Sequence, residues 1–218
     1  MGFSTLLDIL GSAVIGGLLL IILLRVNDAA IQNNYVYGSD LIVQEALVEA
    51  VRVIEYDFRK VGYCADYTKI GFGDPLITVA DTHRIAFITD LSTAANPSGD
   101  GIIDTIEYRL GPSSELLGTS NPRDRILYRI VNNEQPKGSN IGITQFDLLF
   151  FDALGDTLQF PIADTRLIYT MQIDLTVENT EAVTDSYSDD TENLDDRRVY
   201  SQAVWRQIRL ASKNLRNR

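Results

Sequence analysis

Residues 39–63 read SDLIVQEALVEAVRVIEYDFRKVGY. Within them Val43, Leu47, Ala50, Ile54, Phe58 and Val61 recur at steps of three and four, which sets one apolar stripe along an α-helix. Ser39 suits an N-cap, Gly38 a kink, and Gly62 a stop. A stripe of this length needs a partner surface, and the chain beyond Gly62 supplies one. There, short runs rich in Ile, Val, Tyr and Phe alternate with turn residues, as strands do. They are HRIAFITD (83–90), IIDTIEYRL (102–110), RILYRIV (125–131), ITQFDLLFFDA (143–153), TRLIYTMQIDLTV (165–177) and RVYSQAVWRQIRL (198–210). In RILYRIV, Ile126, Tyr128 and Ile130 share one side while Arg125 and Arg129 share the other, so the former is expected to face the core. The expected class is α+β: a long N-terminal α-helix whose second half packs on one antiparallel β-sheet.

Working toward the N-terminus, residues 25–38 contain no proline, so the helix is expected to continue back to about Phe3, with a bend. The 22 residues Phe3–Leu24 carry a single charge, Asp8. As a helix they span roughly 33 Å, close to the hydrocarbon thickness of a bilayer. Nothing basic precedes the run and no small-residue cleavage site follows it, which argues against a cleaved secretory signal. Arg25 alone, under the positive-inside rule, would place the far end of the run inside. The expected organisation is a membrane helix over 1–28, its amphipathic continuation over 29–62, and a β-sheet domain over 63–218.

The net charge of −11 speaks against general nucleic-acid binding. It is also patterned: residues 178–196 hold eight acids and no base, and residues 197–218 hold seven bases and no acid. The former read as a solvated connecting loop, and the latter could meet the acidic face of a neighbouring molecule. Chemistry is sparse. Cys64 and His83 are single, so neither a catalytic triad nor a zinc site has enough members, and no phosphate-binding glycine loop appears; no enzymatic activity is expected. Trp205 reads as sheet core. In NPSGDGIIDTIE, Asn96, Ser98, Asp100, Asp104 and Glu107 take the spacing of a calcium loop, although the flanks read as strands and a hairpin turn explains its glycines without a metal. No cofactor other than this possible calcium is expected.

In combination these pieces resemble the type IV filament subunits, the pilins and the pseudopilins of type II secretion. GFSTLLDIL (2–10) resembles a prepilin start, and QEALVEAVRVIEYDFRKVGYC (44–64) resembles the helix end of PilW-type minor pilins and GspJ-type pseudopilins, Asp-x-Arg-x-x-Gly-Tyr, here Asp57, Arg59, Gly62 and Tyr63. The resemblance implies a pilin-like fold and cleavage between Gly2 and Phe3 with methylation of Phe3. It also implies a structural, non-enzymatic role, as a minor pilin or pseudopilin. Implied partners are other subunits, a prepilin peptidase and an inner-membrane assembly platform. The sheet domain would lie outside the cytoplasm, first membrane-anchored and then in a filament. The family's acid stands at the fifth position after the cut; here Leu7 is fifth and Asp8 sixth.

An unpaired carboxylate in lipid costs about 2.5–3.5 kcal/mol, and within this chain the closest basic residue, Arg25, is four to five helical turns away. The resemblance pairs Asp8 with the N-terminal amine of a neighbour's Phe3. A simpler reading leaves Asp8 at the headgroup boundary. Ser12 with Gly16, and Ala13 with Gly17, make two small-xxx-small pairs that let helices approach closely. Alternatives are the major repeating subunit of such a filament, or a single-pass anchored binding module outside the cytoplasm.

Overall fold

The computed structural model describes residues 2–94, 96–116, 118–119, 121–179 and 203–216. The acidic stretch 178–196 therefore lies, past Asn179, outside the described residues. Helix α1 runs Gly2–Arg59, and Gly38 and Ser39 are inside it, neither a cap nor a break. The chain divides into two compact units, Met1–Leu41 and Ile42–Arg218.

The first unit is helix from Gly2 onward. Its described large apolar side chains are exposed, from Phe3 at 82 % to Ile21 at 51 %, and from Leu7 onward it is long and apolar enough to cross a membrane.

The second unit begins with the remaining turns of α1. Val43, Leu47, Val51, Ile54, Phe58 and Val61 are buried, so the stripe runs through Val51 where the periodicity had pointed to the half-buried Ala50. Gly62 ends the helical turn at φ +70°, a conformation glycine adopts without strain. A Cβ there would also stand 2.4 Å from Leu76 Cδ1.

Among the described residues seven strands follow: β1 (Ile77–Asp81), β2 (Arg84–Thr89), β3 (Asp104–Leu110), β4 (Leu127–Val131), β5 (Ile143–Phe151), β6 (Thr170–Glu178) and β7 (Ala203–Leu210), then the short helix α2 (Lys213–Arg216). The class is α+β, but with two antiparallel sheets where one was expected: β1-β2-β3-β4 and β5-β6-β7. The chain leaves β4 through Asn132 and Asn133, both at positive φ, and returns along it only at Arg129↔Lys137. The two sheets then meet at isolated points. Arg125 N donates to Ile143 O (2.8 Å), and Leu148 N donates to Thr82 O (2.8 Å) in the β1–β2 turn. The inner faces of both sheets and the buried stripe of α1 share one core, with Phe58 edge-on to Phe87 and tilted against Tyr108.

Two expectations about faces are reversed. On β4, Arg129 lies opposite Tyr108 on β3, whose side chain is buried, while Tyr128 lies opposite Arg109 on the outer face. Arg129 thus points inward, because a buried acid on α1 awaits it there. On β7, Ile208 and Leu210 are buried opposite Ile173 and Met171, and period two then puts Trp205 outside, at 71 % exposure.

Candidate functional site

In the first unit the candidate assembly residues are successive positions of one helix. Asp8, Ser12, Ala13, Gly16 and Gly17 are all exposed. Ser12 returns its hydroxyl to Ile9 O (2.9 Å), as a serine without a polar neighbour does in a helix, and a Cβ built on Gly16 or Gly17 would meet nothing within 4 Å. Both glycines leave room for another backbone to approach. Gly2 and Phe3 open the helix, with Phe3 82 % exposed.

In the second unit the motif around residues 57–63 has a structural logic. Asp57 falls on the buried stripe between Ile54 and Phe58, where a bare carboxylate is costly. It accepts from Tyr108 Oη (2.5 Å), from Arg129 Nε (2.6 Å) and from Arg129 Nη2 (3.3 Å). One acid thereby ties α1 to β3 and β4 together. Burial raises the Tyr108 phenol well above its usual range, and the Asp57 charge adds to that, so it stays a donor. Burial alone would lower the Arg129 guanidinium, but Asp57 outweighs it and holds it above its ordinary value. Arg59 points out and pairs with Glu55 (3.2 Å), one turn back. Tyr63 donates its hydroxyl to Ser98 O (2.8 Å), and Tyr63 O accepts from Asp90 N (2.8 Å).

Asp90 organises the loop after β2. Its carboxylate accepts from the backbone amides of Ala65 (2.9 Å), Asp100 (3.0 Å) and Gly101 (2.9 Å). Burial would raise this carboxyl, yet the three amides outweigh it and hold it below the usual range. Gly99, at φ +100°, lets the loop close this tightly, since a Cβ there would sit 2.3 Å from Asp90 Oδ1.

That loop carries the candidate calcium residues, which the structure distributes among protein partners. Asn96 O accepts from Gly99 N (3.0 Å), and Asp100 accepts from Ile102 N (2.9 Å). Asp104, on β3, accepts from Leu91 N (2.9 Å) and Asn132 Nδ2 (2.6 Å). Glu107 is held bidentately by Arg84, 2.9 Å at each oxygen. Ser98 contributes its carbonyl to Tyr63. Among the described residues no group of three or more His, Cys, Asp and Glu is placed to hold a metal ion. His83 sits against Asp147 (2.9 Å) at the β1–β2 turn.

Arg129 and Asp90 were not singled out from sequence. A signal for the first existed, since Asp57 interrupts an apolar stripe and so requires a buried cation or donor. For the second none did: Asp90 follows a strand as many solvated acids do.

No protein-family profile matches this chain, and no curated protein is significantly similar to it. Among solved structures it is similar to a type IV-like pilin from Thermus thermophilus, at 8 % identity and a TM-score of 0.43, covering 79 % of this chain and 97 % of that one. At that identity and score the likeness decides neither fold nor function.

Proposed function

We propose that the chain is a non-enzymatic structural subunit of a type IV pilus-like or type II secretion-like filament, a minor pilin or pseudopilin. The observation that carries this is the stretch Phe3–Leu24 of the first unit: an exposed apolar run of helix whose lone charge, Asp8, stands four to five turns from Arg25, the nearest base along that helix. Such a helix is at home in lipid or among other apolar helices, and its acid is satisfied by a second molecule. In this reading the helix anchors the chain in the inner membrane, with the sheet domain outside the cytoplasm. Cleavage before Phe3 by a prepilin peptidase then frees an amine. The Asp8 carboxylate of an incoming subunit pairs with the Phe3 amine of its neighbour, while Ser12, Ala13, Gly16 and Gly17 form the close helix contact at the assembly platform.

Asp8→Asn removes the charge and keeps the size, so insertion is retained and incorporation into assembled fibres is expected to fall at least about tenfold, the worth of one charge pair of ~1.4 kcal/mol. Wild-type incorporation of Asp8→Asn would count against the proposal. Intact mass separates the anchored binding module: a chain starting at methylated Phe3 supports the subunit, whereas retained Met1 on a monomeric membrane protein supports the module.

A further inference from the structure

Along one side of α1 the second unit gathers bases into a groove. A recess of about 500 Å³ lies between the helix and β7, with the buried Leu47 and Val51 and the exposed Val48 and Tyr56 on the helix side. Arg52, Arg59 and, from β7, Arg206 line it as well. A second recess of about 370 Å³, around Lys60, Tyr63, Lys213 and Asn214, shares Arg59 with the first, so the two adjoin at that side chain.

The charges of the groove do not balance. Arg59 pairs with Glu55 (3.2 Å), and Arg52 stands 3.9 Å from Glu49. Lys60 is held instead by the Tyr56 ring, its Nζ 4.6 Å from the centroid, and by the Ser92 hydroxyl. Arg206 and Lys213 are exposed and have no acidic partner among the described residues. Lys60, Arg206 and Lys213 are thus positive charges without a counter-charge there, in a chain of net charge −11.

The complement is written in the sequence between β6 and β7. The register pairs Glu178 with Ala203, so these strands need only a turn of about two to five residues between them, yet 24 residues, 179–202, connect them. Within that connection EAVTDSYSDDTENLDD (181–196) carries seven acids and no base, with Val183, Tyr187 and Leu194 spaced among the acids. Such a stretch offers carboxylates to the bases of the groove and apolar side chains to Val48 and Tyr56.

We infer that the groove between α1 and β7 receives the 181–196 segment of a second copy of this chain. Copies of net charge −11 repel one another, so they approach favourably where a basic surface of one meets the acids of the other. The inference rests on the proposed function in one respect: a filament holds copies side by side, which raises the effective concentration of the segment at its neighbour's groove.

Two measurements on the full chain in detergent micelles test it, neither requiring fibres. In the first, a labelled peptide of residues 181–196 is titrated by fluorescence anisotropy onto a chain whose own acids in that stretch are replaced by Asn and Gln. Saturable binding is expected, weakening as salt rises from about 50 to 300 mM. It is expected to fall at least about fivefold on Arg206→Ser with Lys213→Ser, two exposed positions whose replacement leaves the fold intact. In the second, light and heavy isotope-labelled wild-type chains are mixed and treated with a carbodiimide, which condenses a carboxylate with a lysine amine. Crosslinks from Lys213 or Lys60 to residues 181–196 are expected to join light chains to heavy ones. Absence of saturable binding, or binding indifferent to salt and to the two substitutions, overturns the groove. Absent crosslinks, or crosslinks confined to chains of one label, overturn the second copy as occupant. Asp8→Asn is expected to leave both results unchanged, so a failure of the helix pairing is told apart from a failure of this contact.

Discussion

Asp57 shows how a single acid decides a local structure. Placed on the stripe that α1 buries, it selects which face of β4 turns inward and makes Tyr108 and Arg129 its ligands. Removing it strands a mostly buried guanidinium. Asp57→Ala is therefore expected to cost about 3 kcal/mol in denaturant unfolding, and Tyr108→Phe about 1–2 kcal/mol. The double replacement Asp57→Leu with Arg129→Met should recover most of the first loss; a double variant as unstable as the single one would show that the three groups are not a unit. Asp124, 1 % exposed just before β4, gives the opposite sign. Its folded-state carboxyl, pushed up to about 6 from an ordinary 3.8, binds a proton more tightly than in the unfolded chain. Its burial is thus harmless below about pH 4, and its contribution is lost as pH rises through 6. Asp124→Asn is expected to stabilise the fold by about 2 kcal/mol at pH 7.5 and by almost nothing at pH 4, by chemical denaturation at each pH.

Among the elements, α1 was the most legible, since a stripe at three- and four-residue steps leaves little choice of partner face. Its end is legible for the same reason: Gly62 is both the left-handed stop and the gap that Leu76 fills. Gly62→Ala meets both obstacles and is expected to lower stability by more than about 2 kcal/mol in thermal unfolding. The strands were legible as strands but not in their faces. In RILYRIV the set Ile126, Tyr128 and Ile130 is wholly apolar while Leu127 and Val131 alternate with two arginines, so counting arginine as solvent-facing picked the wrong face. On β7 the even-numbered Ile208 and Leu210 already fixed the inner face, so an outward Trp205 could have been read from parity. Trp205→Ser is accordingly expected to change stability by less than about 0.5 kcal/mol, and a loss of several kcal/mol would contradict the outward placement. Strand β1 escaped notice because ITVAD follows a segment dense in glycine and proline. The division into two sheets escaped notice because nothing in the 132–142 connection distinguishes a tight hairpin from a break.

For the whole molecule, the two units answer different physical demands. The second buries a core drawn from one helix and two sheets and needs no partner to do so. The first leaves its large apolar side chains exposed and is long and apolar enough to cross a membrane. The sequence pattern showed both demands plainly, but it could not show what satisfies Asp8, because under the proposed function that partner belongs to another chain. The most direct measurement is the distribution of the wild-type chain between the membrane and the sheared-fibre fraction of its own cell under assembling conditions. The chain is expected in the fibres, crosslinked through its N-terminal helix to neighbouring subunits, and depleted from them when Asp8 is replaced by Asn. A chain found wholly in the membrane, uncrosslinked and indifferent to that substitution, would contradict the account.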